Sequence, residues 1–511
     1  MKRRTFLQAF AATALCGVPP HLLASPRFEM NPFTLGVASG YPSASGVCLW
    51  TRLAPVPLAP DGGMPERTVE VRWEVAEDAG FRTLAAQGTT WATPDWAHSV
   101  HVEPNTLRPG RVYWYRFHAG DATSPIGRTQ TTPAEGADVQ SVSFAFLSCQ
   151  HYEQGYYGAY RHLAANPPDL VLHLGDYIYE SSWSARPVRR HAGPEPVTLA
   201  DYRARHAQYK TDPLLQAAHA VAPWALVWDD HEVENDYAND RSENLDDPAW
   251  FLLRRAAAYK AWYEHMPARR TMVPAGPALQ LFGRLSYGNL AQFHLLDDRQ
   301  YRSPQPCPKP GRGGGNRVEA CKARLDLAAT LLGARQEAWL DAGLAASNAR
   351  WNVLAQQTLM AQSDTKAGEG ERFYTDGWDG YPAARERLIS RLAESKVANP
   401  VVIGGDVHAF WVADLKQDFA RPDSPTIATE FVGGSVTSQS PPEIALQTAK
   451  QEGPHIRFVT GVPRGYARAT LTPSHMATTF IAVNDVRDPQ SGASPLGRWV
   501  VEDGKPGAVE D

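Results

Sequence analysis

The sequence predicts an α/β protein of the layered, α+β kind: two mixed sheets packed as a sandwich and flanked by helices, preceded by a small all-β domain. Three observations lead there. At 511 residues the chain exceeds a typical single domain, so two domains is the expectation. Residues 33–133 hold short alternating runs punctuated by turn signals, the mark of an all-β unit. From residue 140 onward the chain alternates short apolar runs with helical spacing and then becomes β-rich, an order that a two-sheet sandwich with flanking helices accommodates.

Residues 1–24 read as a targeting segment, because Lys2-Arg3-Arg4 precedes Phe6, Leu7 and the apolar run 9–18. The paired arginines before Thr5-Phe6-Leu7 resemble the twin-arginine signal, whose export machinery carries proteins already folded. A periplasmic or secreted location follows, and the route suits a protein that loads metal before export. Losing the segment takes the formal charge from −5 to about −8. No later apolar run approaches the length needed to span a bilayer. No dense Lys/Arg run follows the extreme N-terminus, so sequence-specific or generic nucleic-acid binding has no electrostatic support.

The predicted β-domain, 30–134, contains strand-like runs at 47–51, 68–75, 87–92, 99–102 and 112–119. Leu107-Arg108-Pro109-Gly110 followed by the aromatic run from Val112 looks like the late turn and strand of an immunoglobulin or fibronectin-type sandwich. It has no convergent set of acids, bases or ligands, so packing or positioning is its expected role. Cys48 in this region reads as a small buried apolar residue. The second unit, 140–511, opens with a strand at 143–147, a helix over 157–164 and a strand at 170–174. Further strands are expected at 224–228, 290–296, 351–355 and 400–403, with helices over 250–265, 335–346 and 383–395. The β-rich close falls at 410–415, 427–432, 465–471 and 478–484. Cys307 and Cys321 flank a Gly/Pro/Lys/Arg-rich loop and are expected to close it with a disulfide in an oxidising compartment.

Four strand ends carry candidate metal ligands: Cys149; Asp176 and Tyr179; Asp230 and His231, with Asn235 shortly after; and Asp406 with His408. Side chains leaving the carboxyl ends of neighbouring parallel strands converge on one crevice. Phosphate-ester hydrolysis without a protein nucleophile needs the charge on the non-bridging oxygens neutralised and hydroxide available near neutral pH. Two cations bridged by a carboxylate meet both needs, and Asp176 is the bridging candidate. Thiolate and phenolate suit iron, so Cys149, Tyr179 and His408 form one expected site. Asp230, Asn235 and Asp406 offer hard oxygens suited to calcium or magnesium.

Together with the Arg3-Arg4 signal, the stretches SCQHYEQGYYGAYRHLA, LHLGDYIYE, WDDHEVENDY, LLDDRQYR, WDGYPAAR, GGDVHAFW and TEFVGGSVTS give the chain a likeness to a known family. It resembles the PhoD-type alkaline phosphatases/phosphodiesterases, distant relatives of purple acid phosphatases within the metallophosphoesterases. The resemblance implies a metallophosphoesterase-like sandwich holding one ferric ion with one or two calcium ions. It also implies hydrolysis of phosphomonoesters and phosphodiesters by a metal-activated hydroxide. The family pattern places Cys149, Asp176, Tyr179, Asp406 and His408 as ligands, with either Asn235 or its neighbour Asp236. Compared with wider metallophosphoesterases, no D-x-H or D-x-G opens the site, Asp230 replaces the Asn of GNHE, and Asp406 replaces a His. By likeness to the GNHE histidine, His231 is expected to protonate the leaving oxygen. Arg299, at a strand end, is a candidate clamp for a phosphate oxygen.

Plainer readings stand beside these. Cys149 alone would be a buried inert thiol, Asp176 a turn cap and Tyr179 a core aromatic. Asp229 reads as structural, His173 as a satisfied core histidine, and Arg299 with Asp297 as a local ion pair. Two other functions compete with the phosphoesterase: a phospholipase D-like lipid phosphodiesterase, and a non-catalytic surface-binding protein with structural metals.

Overall fold

The computed structural model describes residues 27–395 and 397–511; the targeting segment expected at 1–24 lies outside the described residues. Two large sheets face each other. The ten-stranded sheet has at its centre the parallel strands Val142–Leu147, Leu170–Leu174 and Pro223–Val227. The seven-stranded sheet has at its centre the parallel strands Ala291–Leu295, Trp351–Ala355 and Pro400–Gly404. Leu170–Leu174 and Pro223–Val227 are buried along their whole length, which is why they appear in the sequence as unbroken apolar runs rather than alternations.

Period-two alternation decides which core each residue of the second sheet enters. Val353, Val401, Ile403, Phe410 and Val412 face the first sheet and its Phe144, Phe146 and Phe480. Phe144 and Phe293 meet across the gap edge to face, with centroids 5.1 Å apart. Their neighbours Leu354, Val402 and Trp411 point the other way, onto Leu340, Leu388 and Leu446 of the helices Gly333–Ala346, Pro382–Glu394 and Glu443–Glu452. The helices Leu199–Lys210 and Pro248–His265 pack together beside the first sheet.

The N-terminal strands divide between two sheets. Val69–Ala76, Leu84–Ala92, Val112–Ala119 and Gly127–Gln130 belong to a sheet of their own. Val37–Ser43, Gly46–Arg52 and Ser99–Val102 instead extend the ten-stranded sheet, because Val37–Ser43 pairs in parallel with Pro223–Val227. Cys48 is fully buried, and Cys307 and Cys321 are joined by a disulfide.

Candidate metal centre

The central parallel strands end toward one crevice, and the turns that follow three of them, Val142–Leu147, Leu170–Leu174 and Pro400–Gly404, are unusual. Cys149, Asp176, Asp406 and His408 have φ of 60°, 55°, 62° and 51°. Side chains other than glycine rarely adopt this left-handed region, at a cost on the order of 1–3 kcal/mol each. The turns are held by backbone pairing: Cys149 N–H donates to Gly175 O at 3.2 Å and Gln150 N–H to Asp176 O at 3.1 Å. Gly405 N–H donates to Gln357 O at 2.7 Å. Gly175, with φ of 102°, leaves no room for a Cβ, which would collide with Asp229.

These turns assemble two groups that share one residue. Cys149 Sγ, an Asp176 oxygen and a His408 ring nitrogen lie within 4.8 Å of one another, and so do single ligand atoms of Asp176, Asp230 and His231. Tyr179 stands over the first group: its hydroxyl donates to Asp176 Oδ2 at 2.7 Å, lies 3.0 Å from His408 Nε2 and accepts from Ser438 Oγ at 2.8 Å. Asp406 is partly buried beside the same carboxylates, and Thr358 Oγ1 donates to its Oδ2 at 2.6 Å.

The donor set fits cations. Asp176 Oδ1 and Asp230 Oδ1 are buried and accept no hydrogen bond among the described residues, and of the two only Asp230 Oδ1 has a cation near it, the Arg299 guanidinium at 3.4 Å; an unpaired buried carboxylate oxygen is costly. Burial, followed by Asp176, pushes both the Cys149 thiol and the Tyr179 phenol well above their ordinary pKa ranges; a bound cation is what makes such groups anionic ligands. Burial raises Asp406 to about 6, with Asp230, Asp376 and Asp176 adding to it and Arg299 opposing. Burial also disfavours a charged His231, but Glu180, Asp230 and Asp176 outweigh it and hold the imidazole well above its usual range.

Asn235 and Asp236 play different parts. The Asn235 side chain makes no hydrogen bond among the described residues, while its N–H donates to Glu180 Oε1 at 3.1 Å. The Asp236 carboxylate is already held by Gly315 N–H at 2.8 Å and Tyr374 OH at 2.9 Å, and its own N–H donates to Asp230 Oδ2 at 2.6 Å.

Arg299 differs from the expectation. It is 1% exposed, and its guanidinium pairs with Asp229, with Asp376 at 2.8 Å and with Asp230 at 3.4 Å. With its charge spent on three carboxylates, it anchors the acidic wall instead of reaching toward a phosphate. The expected partner Asp297 accepts from Arg299 N–H at 3.1 Å, not from the guanidinium. His173 is buried, but both ring nitrogens lack hydrogen-bond partners among the described residues, and burial lowers its pKa to about 3.

Several supporting residues escaped the sequence reading. Glu180 Oε2 lies 2.7 Å from His231 Nδ1. Glu232 accepts from Asp176 N–H at 3.2 Å, Asp229 N–H at 2.9 Å and Tyr177 N–H at 2.6 Å, tying two strand-end turns together. Both sit inside stretches already rich in acids, directly after Tyr179 and His231, and that adjacency was the available signal. Asp376 and Ser438 carry no comparable mark.

A two-sheet sandwich whose strand ends gather cysteine, tyrosine, histidine and a shared aspartate is a candidate metal centre, and comparison with known families supplies the class of chemistry. The chain belongs to the PhoD-like phosphatases: that family's model matches residues 144–480, and the model of its N-terminal domain matches 19–133. It is therefore a hydrolase acting on phosphate esters. Among its relatives, it is 47% identical over 487 residues to alkaline phosphatase D of Bacillus subtilis (strain 168), covering 94% of this chain and 82% of that one. It matches a solved structure of PhoD with a TM-score of 0.90 at 45% identity, over 95% of this chain and 93% of the other.

Proposed function

We propose that this enzyme hydrolyses phosphomonoesters and phosphodiesters at a mixed-metal centre of one ferric ion with one or two calcium ions. The observation that carries the reading is Asp176, a buried carboxylate common to both ligand groups and with one oxygen unpartnered. Cys149, Tyr179 and His408 would hold iron with it, and Asp230, Asn235 and Asp406 would hold calcium. When bound, such ions neutralise charge on the phosphate oxygens and make hydroxide available near neutral pH.

The chain's own residues do the rest. His231 gives a proton to the departing oxygen, and Glu180, 2.7 Å from its Nδ1, fixes the ring and leaves Nε2 for the substrate. Arg299 holds Asp229, Asp230 and Asp376 in place, and Thr358 orients Asp406. In the same proposal, residues 1–24 direct twin-arginine export to the periplasm or outside, 30–134 form the β-domain and 140–511 the catalytic unit. No helix among the described residues is long and apolar enough to cross a membrane.

Asp176→Ala tests the centre. The variant is expected to fold but to lose turnover of p-nitrophenyl phosphate and of its bis-ester by at least about 10³-fold, the scale of a metal's contribution to charge stabilisation. Unchanged turnover would contradict the proposal.

A further inference from the structure

Beside the centre lies a cavity of about 290 Å³ to which Asp406 and His408 both contribute. Leu359, Trp378, Trp411 and Leu446 give it an apolar side, while Thr358, Ser363, Thr365 and Asp379 add polar groups elsewhere in the lining. This wall is fixed. The helix Glu443–Glu452, which supplies Leu446, is pinned where Glu443 accepts from Gly461 N–H at 2.8 Å and where Gln447 donates to Val459 O at 3.2 Å. Trp411, 2% exposed, has an indole N–H that is buried without a hydrogen-bond partner among the described residues. Exposed Arg317 also lines the cavity and forms no ion pair among the described residues. Its short strand Arg317–Val318 pairs with Phe373–Tyr374 within reach of the disulfide.

We infer that this cavity is a subsite for the non-departing arm of a phosphodiester, one with an apolar or aromatic body. The inference rests on the phosphoesterase reading above. His231, the proton donor to the departing oxygen, does not line the cavity, whereas Asp406 and His408 do. The departing group therefore leaves on the His231 side, and the arm that stays on phosphorus is directed toward Leu446 and Trp411. Arg317, the cation at this cavity, favours an anionic ester over a neutral one. A monoester has no such arm and leaves the apolar wall unused.

Two diesters with the same departing group make the test: methyl p-nitrophenyl phosphate and phenyl p-nitrophenyl phosphate, assayed with the metal-loaded full chain. The subsite predicts that kcat/KM for the phenyl ester exceeds that for the methyl ester by at least about tenfold, from burial of the ring. In Leu446→Trp, which fills the cavity, that ratio is expected to collapse toward one. A wild-type ratio near one overturns the inference, as does a ratio that survives in a Leu446→Trp protein with an intact thermal transition. If the variant does not fold, the wild-type ratio alone decides. Failure to hydrolyse even p-nitrophenyl phosphate after metal loading would instead sink the phosphoesterase reading, and the subsite with it.

Discussion

Glu180 and Lys210 show how burial gives a charged side chain a role that its sequence position conceals. Glu180 contacts both His231 and the Asn235 backbone, so Glu180→Gln keeps an acceptor in place but removes the charge that orients the ring. A fall in kcat of about 10–100-fold, the usual cost of losing an outer-shell partner, is expected with KM and thermal midpoint unchanged. Steady-state kinetics beside a melting curve checks this, and a parallel loss of stability would reduce Glu180 to a structural residue. Lys210 sits 4.1 Å over the Trp50 ring, near His206 and His219, and burial lowers its pKa from 10.5 to about 7. Between those values the unfolded chain binds the extra proton, so stability rises with pH across that window. Lys210→Met is expected to flatten this rise and to stabilise the fold below pH 7 by about 1–3 kcal/mol, given that each tenfold change in proton affinity is worth ~1.4 kcal/mol. Urea unfolding at several pH values measures it, and an unchanged slope contradicts it. Cys149, Asp176, Tyr179 and His408 were legible in the sequence because each follows an apolar run that could only be a buried strand. The role of Arg299 was not, since its partner Asp376 is 77 residues away and position at a strand end says nothing of partners.

At the scale of elements, the parallel strands were the most readable parts, being continuous apolar runs of strand length bounded by turn residues. The helix Leu199–Lys210 was missed because it buries Arg205, His206, Gln208 and Lys210, which erases the apolar stripe that sequence reading seeks. Its capping box, Thr198 with Asp201, was the signal left unused. Nor did local pattern reveal that Val37–Ser43 would join the ten-stranded sheet, since pairing between segments far apart in the chain leaves no mark in either. The loop closed by Cys307 and Cys321 has a functional consequence at this scale. It brings Gly315 N–H to Asp236 and Asn316 N–H to Thr375 Oγ1, and Asp236 in turn supports Asp230. Replacing both cysteines by serine is expected to cost about 2–4 kcal/mol, typical of such a cross-link. The drop in thermal midpoint should be larger at limiting than at saturating calcium, because the loop braces the oxygen-rich side of the centre. Equal drops would separate the disulfide from the metal site.

For the whole molecule, two sheets point the carboxyl ends of their parallel strands at one place, and that convergence concentrates Asp176, Asp229, Asp230, Asp376 and Asp406, with Arg299 as the cation common to the last four. Arg299 and Arg302 do not balance these five carboxylates, so cations bound there would add to the stability of the native state as well as its chemistry. Elemental analysis of freshly purified, unchelated protein tests this, paired with turnover of p-nitrophenyl phosphate and its bis-ester before chelation, after it and after calcium is restored. About one iron per chain together with calcium is expected, with activity that is lost on chelation and returns with calcium. Protein that holds neither metal and hydrolyses neither ester, even after iron and calcium are supplied, would contradict it.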